Sequence, residues 1–185
     1  MKLVQALGGR ATGTVGSEEK AAWLRQQGFE DVLVREVDFA RQLQEDERQF
    51  DLVLDAIGGK VQTASFDALN PMGRLVVFGA AEFTPSHNRP NYLKAAWRYL
   101  RRPRYDVMEM ISSNRSVLAF NLIWLWEQKG KMQGLLEELK NIPLPPPHVG
   151  HRFVFEDAHA ALALLRSGQS VGKVVLETVP ETINL

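Results

Sequence analysis

The sequence contains no cysteine, which excludes disulfide bonds and thiolate metal ligands. It also lacks an excess of either charge, because 22 Lys and Arg residues balance 22 Asp and Glu residues. No global attraction to nucleic acid or to anionic lipid is therefore expected. The lack of cysteine is compatible with a reducing compartment, and the first residues lack the apolar run of a signal peptide, so we expect a cytoplasmic protein.

Long apolar runs and metal-binding patterns are missing as well. The most apolar stretch, residues 117–126, is too short to span a bilayer and contains Asn121, so no membrane span is expected. The histidines have no spacing typical of metal ligands, and we expect no metal site; they are His87, His148, His151 and His159.

What is present is an alternation of strand-like and helix-like segments in 185 residues, of which 45% are apolar. Such alternation predicts parallel βαβ units and a doubly wound sheet of the α/β class. The predicted strands are 10–15, 31–35, 50–55, 74–78, 116–120, 151–155 and 173–177, and the predicted helices are 2–7, 18–27, 39–48, 61–69, 92–101, 122–141 and 156–166. Ligands bind at the carboxyl ends of strands in such sheets, which directs attention to the loops that begin at Gly16, Ala56, Gly79 and Asn121.

Several segments carry a resemblance, and they occur in a fixed order: GTVGSEEKAAWLRQQGFEDVL, FDLVLDAIGG, LNPMGRLVVFGA, NRSVLAFNL and FVFEDAHAALALLRSGQSVGKVVL. With them the chain resembles the C-terminal portion of the medium-chain dehydrogenase/reductase superfamily, most of all its zinc-independent quinone oxidoreductase branch. The segment ISSNRSVLAFNLIWL is similar to the vesicle-amine-transport-protein-like subgroup.

The resemblance implies an incomplete cofactor domain. Residues 1–147 would form a Rossmann-type sheet without its first strand and glycine-rich turn, since no G-x-G-x-x-G is present. Residues 148–185 would form a strand–helix–strand appendage that in the family returns to the GroES-like catalytic domain. Because the family's strand order is 3-2-1-4-5-6, the missing strand lies at the middle of the sheet. The flanking strands could close up, a partner chain could fill the gap, or the chain could be poorly stable.

The family's cofactor contacts imply an NADPH site, with NADH less favoured. Gly16 stands where an acidic residue would favour NAD, and Ser17 and Lys20 would bind the adenosine 2′-phosphate. The alternative for these two residues is a helix cap and a solvated helix lysine.

The remaining implied contacts follow later strands. Ala56, Ile57 and Gly58 would pack beside the adenine and ribose; the alternative is a plain turn in which Asp55 binds local N–H groups. The other implied contacts are Phe78, Gly79 and Ala80 at the nicotinamide ribose, Phe120 and Asn121 near the nicotinamide, and Lys173 at the pyrophosphate. Core packing remains open for Phe120, and an exposed strand-end position for Lys173.

Two functions remain open. The first is the cofactor-binding part of an NADPH-dependent oxidoreductase that reduces a quinone or an enone; this chain alone would be inactive, and no catalytic residue is assigned in it. The second is a truncated, non-enzymatic dimerising domain with weak or no nucleotide binding, which the missing glycine-rich turn favours. A methyltransferase-like domain is disfavoured by the ending EDAHAALALLRSGQSVGKVVL.

Two surface features bear on partners. The family resemblance implies a homodimer through the strand around Val117–Phe120, with Trp124 and Trp126 as anchors, unless these residues are buried within one chain. A basic cluster with interleaved aromatic residues could bind nucleic acid or phospholipid, but the zero net charge favours a solvated helix face; its members are Lys94, Trp97, Arg98, Tyr99, Arg101, Arg102, Arg104 and Tyr105.

Overall fold

The computed structural model describes residues 1–83 and 92–178. The helices are α1 (Lys2–Ala6), α2 (Glu18–Gln26), α3 (Phe39–Glu45), α4 (Gly59–Asp67), α5 (Tyr92–Leu100), α6 (Val107–Ser113), α7 (Lys129–Lys140) and α8 (Ala158–Ser167). The strands are β1 (Gly13–Val15), β2 (Val32–Val34), β3 (Phe50–Asp55), β4 (Leu69–Val77), β5 (Ser116–Ala119), β6 (Val149–Val154) and β7 (Lys173–Glu177). Short 3₁₀ turns cover Ala81–Phe83, Leu122–Glu127 and Phe155–Asp157.

Side-chain caps fix where several helices begin. The Ser17 hydroxyl accepts a hydrogen bond from the Lys20 amide at the start of α2, where Glu18 and Glu19 face the positive end of the helix dipole. Asp38 caps α3 in the same way, by accepting from the Arg41 amide.

The strands of the described residues pair in parallel, as the alternating sequence predicts, and they lie in three sheets rather than in one. β1 pairs with β2, β4 lies between β3 and β5, and β6 pairs with β7. Within the described residues β1 and β3 form no ladder with each other. Of the three outcomes weighed from the sequence, closure of the gap by direct pairing is thus not what the structure has.

Hydrophobic clusters formed with helices connect the β1–β2 pair with the β3–β4–β5 sheet. Leu33 of β2 packs with α3, with Ala64 of α4 and with Ala68, which directly follows α4. Phe66, also on α4, packs against Leu75 of β4 in a second cluster. Since α4 contributes to both clusters, it connects the β1–β2 pair with the β3–β4–β5 sheet. A third cluster joins α2 to β2, and its buried members are Ala21, Phe29 and Val32.

The opposite face of the three-stranded sheet is open. Leu54 aligns with Val76, and Val76 aligns with Leu118, so these three residues share one face with Leu52. Leu52, Leu54 and Leu118 are about half exposed, whereas Leu75 on the other face is completely buried. One face of this sheet is therefore packed and the other presents leucines to solvent.

The structure corrects several predicted boundaries. The predicted strand 10–15 begins only at Gly13, and the side chains of Arg10 and Thr12 before it donate hydrogen bonds to Asp31. The predicted helix 122–141 is two elements, since Gln128 leaves the helical region (φ −93°, ψ 51°) between the 3₁₀ turn and α7. Residues 71–73, which lie outside the predicted strand 74–78, are part of β4, where Met72 adopts φ 71° beside a register shift.

One helix, α6, was not predicted. The Asp106 carboxylate caps it by accepting hydrogen bonds from the Met108 and Glu109 amides, over 2.7 and 3.3 Å. An Asp followed three residues later by a Glu is a known helix-start pattern, so the signal was available in the sequence.

The unit formed by β6, α8 and β7 contacts the first half of the chain through α2. The rings of Trp23 and His148 lie 4.9 Å apart, and Lys20 Nζ donates to the carbonyl of Gly168. Among the helices of the described residues, none is long and apolar enough to cross a membrane.

Candidate cofactor site

Two of the predicted loops are joined by backbone hydrogen bonds. The amides of Phe78, Ala81 and Glu82 donate to the carbonyls of Asp55, Ala56 and Ile57 over 3.0, 3.0 and 2.9 Å, respectively. The loops that follow β3 and β4 therefore form one continuous rim at the carboxyl ends of neighbouring strands, where ligands of such sheets bind.

Asp55 shapes the first of these loops from within. Its side chain is only 3% exposed and accepts hydrogen bonds from the Ile57 amide (2.9 Å) and the Gly58 amide (3.2 Å). Asp55 thus satisfies local N–H groups, as the plain-turn alternative states, and leaves Ala56 and Ile57 on the rim.

Glycines allow the loops to approach this closely. A Cβ added at Gly79 would lie 2.9 Å from the Ala56 carbonyl oxygen and 3.0 Å from the Ala56 Cα, both of them backbone atoms. Gly58 has φ +87°, a conformation that side chains disfavour, and a Cβ added there would lie 3.8 Å from the Ala80 Cα. Only glycine fits at 79 without moving the backbone.

The rim continues to the loop after β5. The rings of Phe78 and Phe120 lie 6.2 Å apart with 23° between their planes, and they are 47% and 49% exposed. Core packing, the alternative for Phe120, is therefore not what the structure has. Asn121 turns back to accept a hydrogen bond from the Ile123 amide over 3.0 Å.

The loop after β1 follows a strand of the β1–β2 sheet, and no strand pairing among the described residues joins that sheet to the rim. Gly16 begins it, Ser17 caps α2, and Lys20 donates to the Gly168 carbonyl. The helix-cap alternative is thus realised for Ser17. Lys20 is tied to the turn after α8 rather than left in solvent.

Sequence reasoning missed Arg35, which follows β2 beside this loop. Its Nη1 donates to Thr14 Oγ1 over 3.0 Å, and its Nη2 lies 3.7 Å from where a Cβ on Gly16 would be. Arg35 takes part in none of the ion pairs found among residues 1–83 and 92–178. Partial burial lowers the pKa of its guanidinium below the ordinary value.

Arg35 lines an open cavity of about 670 Å³ together with Glu36, Val37, Asp38, Arg41 and Glu45. Two of the acids in this wall are already engaged: Asp38 caps α3, and Glu45 pairs with Arg41 over 2.7 Å. The guanidinium of Arg35 is thus a cation at the end of β2, next to the loop of Gly16, that can accept an anionic group. Its only signal in the sequence was its position at the end of the predicted strand 31–35.

Lys173 is separate from the rim. It opens β7, its amide donates to the His148 carbonyl over 2.8 Å, and its side chain is exposed. No contact found in the described part of the chain connects it with Phe78 or Phe120.

A parallel α/β sheet with glycine-rich loops at its carboxyl edge defines a dinucleotide-binding domain of the Rossmann type. The family model for a zinc-binding dehydrogenase matches residues 27–176, and the chain belongs to that family. This confirms the resemblance to the C-terminal portion of a medium-chain dehydrogenase/reductase.

Relatives of known name agree with this family. The human synaptic vesicle membrane protein VAT-1 homolog is 27% identical over 72% of this chain and 35% of its own length. Bovine prostaglandin reductase 1 is 24% identical over 95% of this chain and 51% of its own. The quinone oxidoreductase of Thermus thermophilus, whose structure was solved alone and in complex with NADPH, is 26% identical to this chain. The two structures superpose with a TM-score of 0.70 over 95% of this chain and 52% of the Thermus chain. The chain thus spans about a third to a half of these relatives.

The family description raises the question of zinc. In the part of the chain that the structure describes, no group of three or more His, Asp or Glu residues could hold a metal ion. His87 lies outside the described residues. The residues that the structure describes therefore do not fit a zinc site.

Proposed function

We propose that this chain is the cofactor-binding part of an NADPH-dependent oxidoreductase that reduces a quinone or an enone. The rim built by the loops after β3, β4 and β5 carries the proposal, because it places Gly79 and the Phe78–Phe120 ring pair at the edge where such folds bind dinucleotides. The solved relative from Thermus, which binds NADPH, supports the choice of cofactor.

The rim residues would line the cofactor from its adenosine to its nicotinamide. Ala56, Ile57 and Gly58 would pack beside the adenosine, Gly79 and Ala80 would let the backbone approach the ribose, and the half-exposed rings of Phe78 and Phe120 would cover the nicotinamide. When bound, NADPH supplies the hydride, and the protein orients it and excludes water.

The adenosine end would lie at the loop after β1. Gly16 leaves room there, and the guanidinium of Arg35, which has no ion pair in the described ranges, supplies the positive charge that a 2′-phosphate needs. Ser17 and Lys20 would join it if Lys20 exchanges the Gly168 carbonyl for the phosphate. Lys173 remains the candidate for the pyrophosphate.

The domain organisation predicted from the sequence is part of this proposal. Residues 1–147 would be the incomplete cofactor domain and residues 148–185 the segment that returns to a catalytic domain. A cytoplasmic location and a homodimer through Val117–Phe120 are part of the proposal. The exposure of Trp124 and Trp126 supports the dimer, because within the chain neither ring is buried.

Calorimetric titration of the chain with NADPH and with NADH tests the proposal. Micromolar NADPH binding and much weaker NADH binding are expected. Heat from neither cofactor would favour the alternative, a non-enzymatic dimerising module without a glycine-rich turn. Turnover of a quinone with NADPH by this chain alone would contradict that module.

A further inference from the structure

We propose that α5 and the arginines that follow it form a docking surface for anionic phospholipid membranes, lying in the plane of the bilayer surface. The surface consists of Leu93, Trp97, Leu100, Arg101, Arg102 and Arg104. None of these residues is among those proposed to contact the cofactor, and the inference does not depend on the proposed function.

The apolar part of this surface is unusually exposed. Leu93, Trp97 and Leu100 follow one another at four and three residues along α5, a spacing that puts them on one helix face. They are 85%, 55% and 68% exposed. A solvated helix face, which the sequence favoured, would carry polar side chains at these positions.

The charge beside this face has one sign. From 92 to 105 the chain contains basic residues and no Asp or Glu. The nearest acids in sequence are Asp106, whose carboxylate caps α6, and Glu109 within that helix. This segment is therefore a local positive patch in a chain that has no net charge, and it complements an anionic surface.

Two of the arginines stack on aromatic rings of α5. Arg101 lies over the Trp97 ring with its guanidinium carbon 4.4 Å from the centroid, and Arg102 lies 4.0 Å from the Tyr99 centroid. Arg98 instead anchors the helix, by donating to the carbonyl of Glu82. Aromatic rings at the headgroup level with arginines reaching the phosphates are typical of helices that lie on a membrane.

Nucleic acid fits this surface less well. Arg101 already covers one face of the Trp97 ring, the kind of face on which a base would stack. Leu93 and Leu100 offer nothing to a base edge or a phosphate, but they gain free energy when they enter the acyl region. The combination of leucines and arginines therefore favours lipid.

Sedimentation of the full chain with vesicles tests the proposal. Binding is expected to phosphatidylcholine vesicles that contain phosphatidylserine, and to fall sharply in about 1 M salt, where the Debye length is about 3 Å. Replacing both arginines in Arg101→Gln/Arg102→Gln should weaken binding at least about tenfold, since each basic residue near an anionic surface contributes substantially. The matched control is Lys129→Gln/Lys131→Gln, which removes the same charge from exposed positions on α7 and should bind as the unmodified chain does.

A second pair of variants tests the apolar part of the docking surface. Leu93→Ser/Leu100→Ser should lose most binding, whereas Leu135→Ser/Leu136→Ser, at exposed positions on α7, should retain it. Circular dichroism establishes that each variant is folded. Equal binding to vesicles without phosphatidylserine would overturn the proposal. So would a loss of binding in the control variants as large as in the test variants, or binding to single-stranded RNA without binding to vesicles.

Discussion

Arg35 donates from Nη1 to the hydroxyl of Thr14 over 3.0 Å, and so reaches from the end of β2 across to β1. Thr14 aligns with Leu33 in the parallel ladder, which places the guanidinium beside the loop that begins at Gly16. The hydroxyl orients Arg35 without neutralising it. A cation that is held in place and has no ion pair among the described residues is suited to bind a phosphate.

Arg35→Gln should therefore weaken NADPH binding at least about tenfold, because a hydrogen bond to a charged group is lost. Binding of NADH, which lacks the 2′-phosphate, should be unchanged. Calorimetry with both cofactors measures the difference. Arg152→Gln removes an arginine from the β6–β7 pair, where it is bound to Glu177, and should leave both affinities as they are. An equal loss for the two cofactors would remove Arg35 from the 2′-phosphate site.

Gly79→Ala should destabilise the chain by about 1–3 kcal/mol, because the added Cβ meets the backbone of Ala56 at 2.9 to 3.0 Å and the two loops must move apart. Urea unfolding followed by circular dichroism measures the free energy of unfolding. Cofactor binding by the folded variant should fall as well.

Gly134→Ala is the control for this change. Among the described residues nothing lies within 4 Å of a Cβ at Gly134, which is in the middle of α7. Alanine there should stabilise the chain by about 1 kcal/mol, since glycine is the poorer helix former. If both alanines changed stability in the same direction, the close approach at Gly79 would not explain the first result.

The loops of the candidate site could be predicted because their signals are local. Asp55 ends a strand and is followed by Gly58 and Gly59, and Gly79 follows the next strand, so each loop is recognisable from a few consecutive residues. Parallel pairing then brings the loops to one edge without further information.

What could not be predicted depends on contacts between distant residues. Arg35 became a candidate only when Thr14 was found beside it and no carboxylate of the described ranges was paired with it. Lys20 reaches Gly168, which is 148 positions away in the sequence. The break at Gln128 was missed because the apolar pattern on both sides of it is helical, and pattern alone does not report one backbone angle.

Leu118→Lys should shift the chain towards monomer if it is a dimer through β5. An added charge on an edge strand opposes pairing with a second strand. Sedimentation equilibrium over a range of concentrations measures the mass. Leu54→Lys is the matched control, because Leu54 is similarly exposed on the same sheet face but lies on β3. A monomer at every concentration before any substitution would contradict the dimer.

The acid stability of the chain should depend on Asp31, which receives hydrogen bonds from Thr12 Oγ1 and Arg48 Nη1, both over 2.7 Å. Burial raises the pKa of this carboxyl, but the two hydrogen bonds and the charges of Arg48 and Arg10 outweigh burial and lower the pKa below 3.8. A lowered pKa in the folded state means that the ionised form stabilises the fold. That stabilisation is complete above the unfolded-state pKa of about 3.9 and disappears as the pH falls through the folded-state value.

Asp31→Asn should consequently reduce the free energy of unfolding by a constant amount above about pH 5, and this difference from the unmodified chain should shrink below about pH 4. Urea unfolding at a series of pH values measures it. Thr12→Val should give part of the same effect, since it removes one of the two hydrogen bonds. Thr63→Val removes a hydroxyl that binds only the Gly59 carbonyl among the described residues. It should leave the pH dependence of the free energy of unfolding at acid pH unchanged. Stability curves for Asp31→Asn and the unmodified chain that stay parallel down to the lowest pH would show that Asp31 does not control this transition.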